Sequence, residues 1–161
     1  MSVIISLISI AALTAADQVI KLFVERFLAP VGTAEFINGF IGWNYVRNTG
    51  AAFGSFSDNT VLLSVVTGAV LLAGIILIAM KKIKSKFCLV CAVMIISGGL
   101  GNLIDRVLKG YVVDFIEPTF MDFAVFNIAD CAVTCGAVVL IGYLIFDAFS
   151  DKKKPKEKSN G

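Results

Sequence analysis

Four stretches of this chain are apolar for long enough to matter. Thr60 to Met80 runs 21 residues without a charge, Phe87 to Ile104 runs 18, and Cys131 to Phe146 runs 16. Met1 to Ala16 is also uncharged, and its apolar pattern continues past Asp17 to about Leu28. A helix needs about 20 apolar residues to cross a hydrocarbon core about 30 Å thick. The pattern therefore predicts four transmembrane helices, at about 3–27, 60–80, 87–107 and 128–147. The segment at about 30–58 reads differently. Phe36, Ile37, Phe40, Ile41, Trp43, Tyr45 and Val46 favour strands, and Asn38-Gly39 is a hairpin turn signal. A small β-sheet lying on the outer membrane surface is expected there. Residues 1–150 read as a single integral membrane domain, followed by a basic cytoplasmic tail at 151–161.

Composition agrees and narrows the chemistry. Hydrophobic residues make up 58% of the 161, charged residues 16%, and mean hydropathy is +0.89. Soluble domains carry about 45–50% apolar and about 25% charged residues. A net charge of +2 without a basic face argues against a nucleic-acid partner. Histidine is absent, which removes His-based triads, most zinc enzymes and imidazole switches. The first helix is expected to be retained rather than cleaved as a signal peptide, because no Lys or Arg precedes its apolar run. Lys81, Lys82, Lys84 and Lys86 fill one short loop, and Lys152, Lys153, Lys154, Lys156 and Lys158 fill the tail. The positive-inside rule then places both termini and that loop in the cytoplasm.

Cys88 and Cys91 have metal or redox spacing, and Cys131 and Cys135 lie one helical turn apart. Assigned to opposite ends of adjacent spans, the pairs would be roughly 20–25 Å apart at 1.5 Å per residue. Buried apolar thiols are expected, with no metal and no cofactor.

The informative residues are the polar ones in or beside the apolar spans, since each costs insertion energy. Asp17 and Lys21 are four apart, acid first, the spacing for an ion pair on one helix face. Such a pair neutralises the span, or orients a loop or substrate backbone. Ser97-Gly98-Gly99-Leu100-Gly101 lets helices approach closely. Asn102 and Arg106 follow on the same helix, where an Arg either snorkels or holds a carboxylate or carbonyl. Asn48-Thr49-Gly50-Ala51-Ala52-Phe53 reads as a turn back toward the membrane.

Asp114 and Asp130 are flanked by apolar residues, and both fall at the outer edge. Two carboxylates forced together in a poorly solvated place cannot both ionise. Such a pair activates water and protonates a leaving amide nitrogen without His, Ser or metal. Asp130 also has a structural reading, because Asn127-x-x-Asp130 is a variant capping box at a helix start. The two readings are compatible.

Taken in order, Asp17-Gln-Val-Ile-Lys21, Asn48-Thr-Gly-Ala-Ala-Phe53, Gly98-Gly-Leu-Gly-Asn102-Leu-Ile-Asp-Arg106, Val113-Asp114-Phe115 and Phe126-Asn127-Ile-Ala-Asp130 resemble bacterial lipoprotein signal peptidase, or signal peptidase II. The resemblance spans about residues 10–135. It implies an intramembrane aspartic endopeptidase of the bacterial cytoplasmic membrane that cuts prolipoproteins just before the diacylglyceryl-modified Cys. Asp114 and Asp130 would form the catalytic dyad. Asn48, Gly50, Asn102, Arg106 and Asn127 would line the site, supported by Asp17 and Lys21. Implied partners are lipid-modified prolipoproteins, membrane phospholipid and the cyclic peptide inhibitor globomycin, acting on a monomer. Two other classes compete. A channel or transporter subunit would use the acids and Arg as a polar path, but no polar series continues to the cytoplasmic side. A pure scaffold would explain the glycines and leave Asp114 and Asp130 without a reason.

Overall fold

The computed structural model describes residues 2–50 and 60–151. Ala51-Ala52-Phe53, the remainder of the outer segment to residue 59 and the basic tail from residue 152 lie outside the described residues. The first helix, α1 (Val3–Phe23), starts at Ser2, whose hydroxyl accepts the Ile5 N–H at 3.3 Å. It widens at its far end into a π-helical turn, Val24–Leu28. The hairpin strands β1 (Thr33–Ile37) and β2 (Ile41–Asn48) follow. Then come α2 (Thr60–Ala79), α3 (Lys86–Lys109), β3 (Val112–Pro118) and α4 (Ile128–Asp151). All four helices are long and apolar enough to cross a membrane. Their outward apolar side chains, such as Val61, Val65, Ile76, Val138 and Ile141, are exposed, as they are on a helix that faces lipid.

Helix α3 touches the other three, and its glycines explain how. Successive helical residues turn by about 100°, so Gly98, Gly99 and Gly101 point in three directions. A methyl on Gly98 would strike the Ala129 carbonyl of α4, one on Gly99 would meet Leu71 of α2, and one on Gly101 would strike the Asp17 carboxylate of α1. Thr14 donates to the Ser97 carbonyl and Gln18 to the Gly101 carbonyl, which fixes α1 parallel to α3. The apolar core lies between α1, α2 and α3, around Ile10, Leu71, Ile78, Leu89, Val93 and Ile96.

The sheet is antiparallel in the order β1-β2-β3. Its hairpin turns where the sequence predicts, with Gly39 at φ +69° and the Phe40 N–H bonded to the Ile37 carbonyl at 2.9 Å. The third strand comes from the segment after α3, outside the 30–58 region to which the sequence pattern confines the sheet. Val112, Val113, Asp114 and Phe115 are all buried, so β3 lacks the alternation that reveals a half-exposed strand. Phe36 and Phe115 flank Trp43, and Phe40 stacks on Phe120, giving the sheet an aromatic surface.

The cysteine expectation needs correction. Helix α4 begins beside the middle of α3, where Ala129 meets Gly98, not beside its outer end. The Cys91 carbonyl therefore faces Gly136, the neighbour of Cys135, and the two pairs are much closer than helix ends placed level would make them. Only Cys91 is fully buried. Cys88 and Cys131 are half-buried, Cys135 is exposed, and all four are free thiols.

Candidate active site

Asp114 is placed by strand register. It pairs with Val46 across β2 and β3, which puts Asn48, two residues along, on the same face as its diagonal neighbour. The Asn48 amide donates to Asp114 Oδ2 at 2.8 Å. A lone bridge between Ile116 and Phe126 then brings the chain back beside β3, leaving Asn127 next to Asp114. The Asn127 amide donates to Asp114 Oδ1 at 2.6 Å.

Asp130 is placed by the start of α4. The Asn127 side-chain carbonyl accepts the Asp130 N–H at 2.9 Å, and Asp130 Oδ2 accepts the Asn127 N–H at 3.1 Å. That is a reciprocal capping box, and it aims the carboxylate along the N-terminal end of the helix. Asn127 thus holds the Asp114 carboxyl through its side-chain amide and the Asp130 carboxylate through its backbone N–H.

Below the pair lies a polar network. Asn102 Nδ2 donates to Asp130 Oδ1 at 2.7 Å, while Asn102 Oδ1 accepts from Asn127 at 3.1 Å and from the Lys21 ammonium at 2.8 Å. Lys21 is fully buried, and its two other contacts are Asp17 at 3.0 Å and Asp105 at 2.9 Å. Three acceptors match the three donors of an ammonium. On the other side, Asn48 Oδ1 accepts the Gly50 N–H at 2.9 Å, and the Gly50 carbonyl accepts from Arg106 Nη2 at 2.9 Å. The structure brings Asp17, Lys21, Asn48, Gly50, Asn102, Arg106, Asp114, Asn127 and Asp130 into one continuous chain of contacts.

Three features of the site were not foreseen. Asp105 is fully buried between Lys21 and Lys109, and its Oδ2 also accepts the Val113 N–H at 3.3 Å. Lys109 continues to Glu25 at 2.8 Å, which Tyr111 also reaches. Gln18 ties the Asp17 carboxylate to the Gly101 carbonyl. The signal for Asp105 was present, since it stands four residues before Lys109 on a span where an unpaired acid is costly.

Burial is what distinguishes Asp114 electrostatically. Removal from water pushes its carboxyl from an ordinary 3.8 up to about 6, and the nearby Asp130 carboxylate pushes the same way. The amides of Asn48 and Asn127 and the Lys21 charge oppose the rise without cancelling it. Among the described residues, no three His, Cys, Asp or Glu side chains come together in a way that could hold a metal ion. What the arrangement offers is acid–base chemistry by two neighbouring carboxyls, one of which gives up its proton reluctantly.

The family model for signal peptidase (SPase) II matches residues 9–146. The chain belongs to the signal peptidase II family. Relatives in that family include the lipoprotein signal peptidase of Enterococcus faecalis, 36% identical over 94% of this chain and 91% of its own. That of Streptococcus agalactiae is 38% identical over 99% of this chain and 96% of its own. Two solved bacterial membrane enzymes share the fold. One superposes with a TM-score of 0.81 at 34% identity, covering 94% of this chain and 93% of that one, and the other with 0.76 at 33%, covering 86% and 91%. A signal peptidase II with four membrane-crossing helices is a multi-pass membrane peptidase, which sets aside the channel and scaffold readings.

Proposed function

We propose that this chain removes signal peptides from diacylglyceryl-modified prolipoproteins as an aspartic endopeptidase, cutting just before the lipidated Cys. The observation that carries the proposal is the double hold of Asn127, which keeps Asp114 and Asp130 within reach of one residue. One carboxylate takes a proton from water as its oxygen adds to the scissile carbonyl carbon. The other carboxyl gives its proton to the carbonyl oxygen. Collapse of the resulting diol, with a proton delivered to the nitrogen, splits the peptide bond. When the dyad takes up its single proton, we assign it to Asp114, whose burial raises its carboxyl to about 6. Asn102 and Lys21 fix Asp130, and Arg106, Gly50 and Asn48 form the wall that meets substrate backbone. With the Lys81–Lys86 loop in the cytoplasm, this end of the bundle faces outward, toward the acyl-modified cysteine of a substrate anchored in the outer leaflet. The chain acts as a monomer, and globomycin competes for the same site.

The test is cleavage of a purified lipid-modified prolipoprotein in detergent by the wild type, Asp114→Asn and Asp130→Asn. Each variant should lose at least about a thousandfold in rate while staying folded. A substrate with Ser for the lipidated Cys should not be cut. Full activity in either variant would remove the dyad.

A further inference from the structure

Two cavities open at the far end of the bundle, on either side of the loop between α2 and α3. One, of about 400 Å³, runs between α3 and α4 and is lined by Cys88, Ala92, Leu140, Tyr143 and Leu144. The other, of about 620 Å³, runs between α1 and α2 and is lined by Val3, Ile4, Ile78 and Leu89. Both are mostly apolar, and both include Ile83 and Lys84 of the intervening loop. Lys81 lines the larger one as well. Asn102, in the candidate active site, lies 16 residues from Lys86 along α3, about 24 Å away.

Lys81 itself is unusual. Helix α2 ends with the Lys82 N–H bonded to the Leu77 carbonyl at 3.0 Å, and Lys81 stands at φ +56°, in the left-handed region. Glycine ends a helix this way without strain, whereas here the left-handed position carries a lysine and so places its charge at the helix end. The loop carries Lys81, Lys82, Lys84 and Lys86, against Asp147 as the one acid lining either cavity among the described residues. Helix α3 also opens here with no acid in its first turn. Two apolar grooves flanking a basic loop at the membrane surface match a diacyl lipid with a negative head.

We propose that this end of the bundle holds one anionic glycerophospholipid. Its phosphate lies against Lys81 and Lys84, and one acyl chain lies in each groove, straddling Ile83. The proposal does not depend on the proteolytic mechanism.

Native mass spectrometry of the full chain in detergent tests it, with palmitoyl-oleoyl phosphatidylglycerol and the phosphatidylcholine of the same chains as probes. The wild type should retain one phosphatidylglycerol and bind phosphatidylcholine at least about tenfold more weakly. The Lys81→Gln/Lys84→Gln variant should lose about tenfold or more in phosphatidylglycerol affinity, whereas a Lys152→Gln/Lys153→Gln control should not. Ala92→Leu, which fills one groove and keeps every charge, should weaken both lipids. Thermal unfolding establishes that each variant is folded. Equal retention of the two lipids, unchanged binding in the loop variant, or a second copy of the chain in place of lipid would each overturn the proposal.

Discussion

Asp114→Asn is expected to stabilise the protein while abolishing its activity, and the gain should depend on pH. Burial raises the Asp114 carboxyl from 3.8 to about 6, so the folded state binds this proton more tightly than the unfolded chain does. Stability contributed by the group is therefore complete below pH 3.8 and is lost as pH rises to about 6. At about 1.36 kcal/mol per pH unit, the ionised carboxylate costs the folded state about 3 kcal/mol at pH 8. Asparagine removes that charge. It also replaces one acceptor with a donor where the Asn48 and Asn127 amides both donate, at a cost of about 1 kcal/mol. The net expectation is about 2 kcal/mol of stabilisation at pH 8, or about 4–8 °C in Tm for a chain of this size. Below pH 3.8 the wild-type carboxyl is neutral too, and the variant should be no more stable than wild type. The assay is thermal unfolding of both proteins in one detergent at pH 8 and at pH 3.5, with cleavage followed in parallel. A variant less stable than wild type at both pH values would refute the idea that burial of the charge is what sets Asp114 apart.

Other expectations follow from the same contacts. Lys21→Met strands the Asp17 and Asp105 carboxylates and should cost about 3–5 kcal/mol, measured by thermal unfolding; adding Asp17→Asn should recover part of it. Asn48→Ala removes an amide that favours the ionised form of Asp114, so the alkaline limb of the kcat/KM profile for cleavage should move to higher pH. Gly98→Ala drives a methyl into the Ala129 carbonyl and pushes α4, with Asp130, away from α3, costing about 1–3 kcal/mol and most of the cleavage rate. Gly99→Ala meets only the movable Leu71 side chain and should retain more of both, so equal losses in the two variants would count against this account of the glycines.

How far the site could be read without coordinates follows from the cost of polar groups in lipid. Lys21, Asp17, Asn102 and Asp130 stand out because almost nothing around them is polar, and a span cannot carry an acid or an amide without a partner. Local geometry then gave two of the contacts outright. Asp17 and Lys21 are one turn apart, and the Asn127/Asp130 box is a statement about four consecutive residues. Contacts between distant segments were another matter. Strand β3 was missed because its first four residues are buried on both faces, and because its partner β2 lies more than 60 residues earlier. Asp105 stands inside the Gly98–Arg106 stretch, but nothing local marks it as the second acid on Lys21, since that depends on α1 and α3 running parallel at the spacing Gly101 permits. The cysteine separation failed for a related reason. Spans of similar length invite level placement, yet Ala129 meets Gly98, so α3 runs about 16 Å beyond the start of α4. That offset has a consequence for chemistry: it sets the first turn of α4 beside Asn102 instead of beside the end of α3, and β3 must fold back past Asp105 to carry Asp114 to Asn127. Had the helices started level, the capping box would have held Asp130 near Lys109, out of reach of the Asn102 amide that now fixes it.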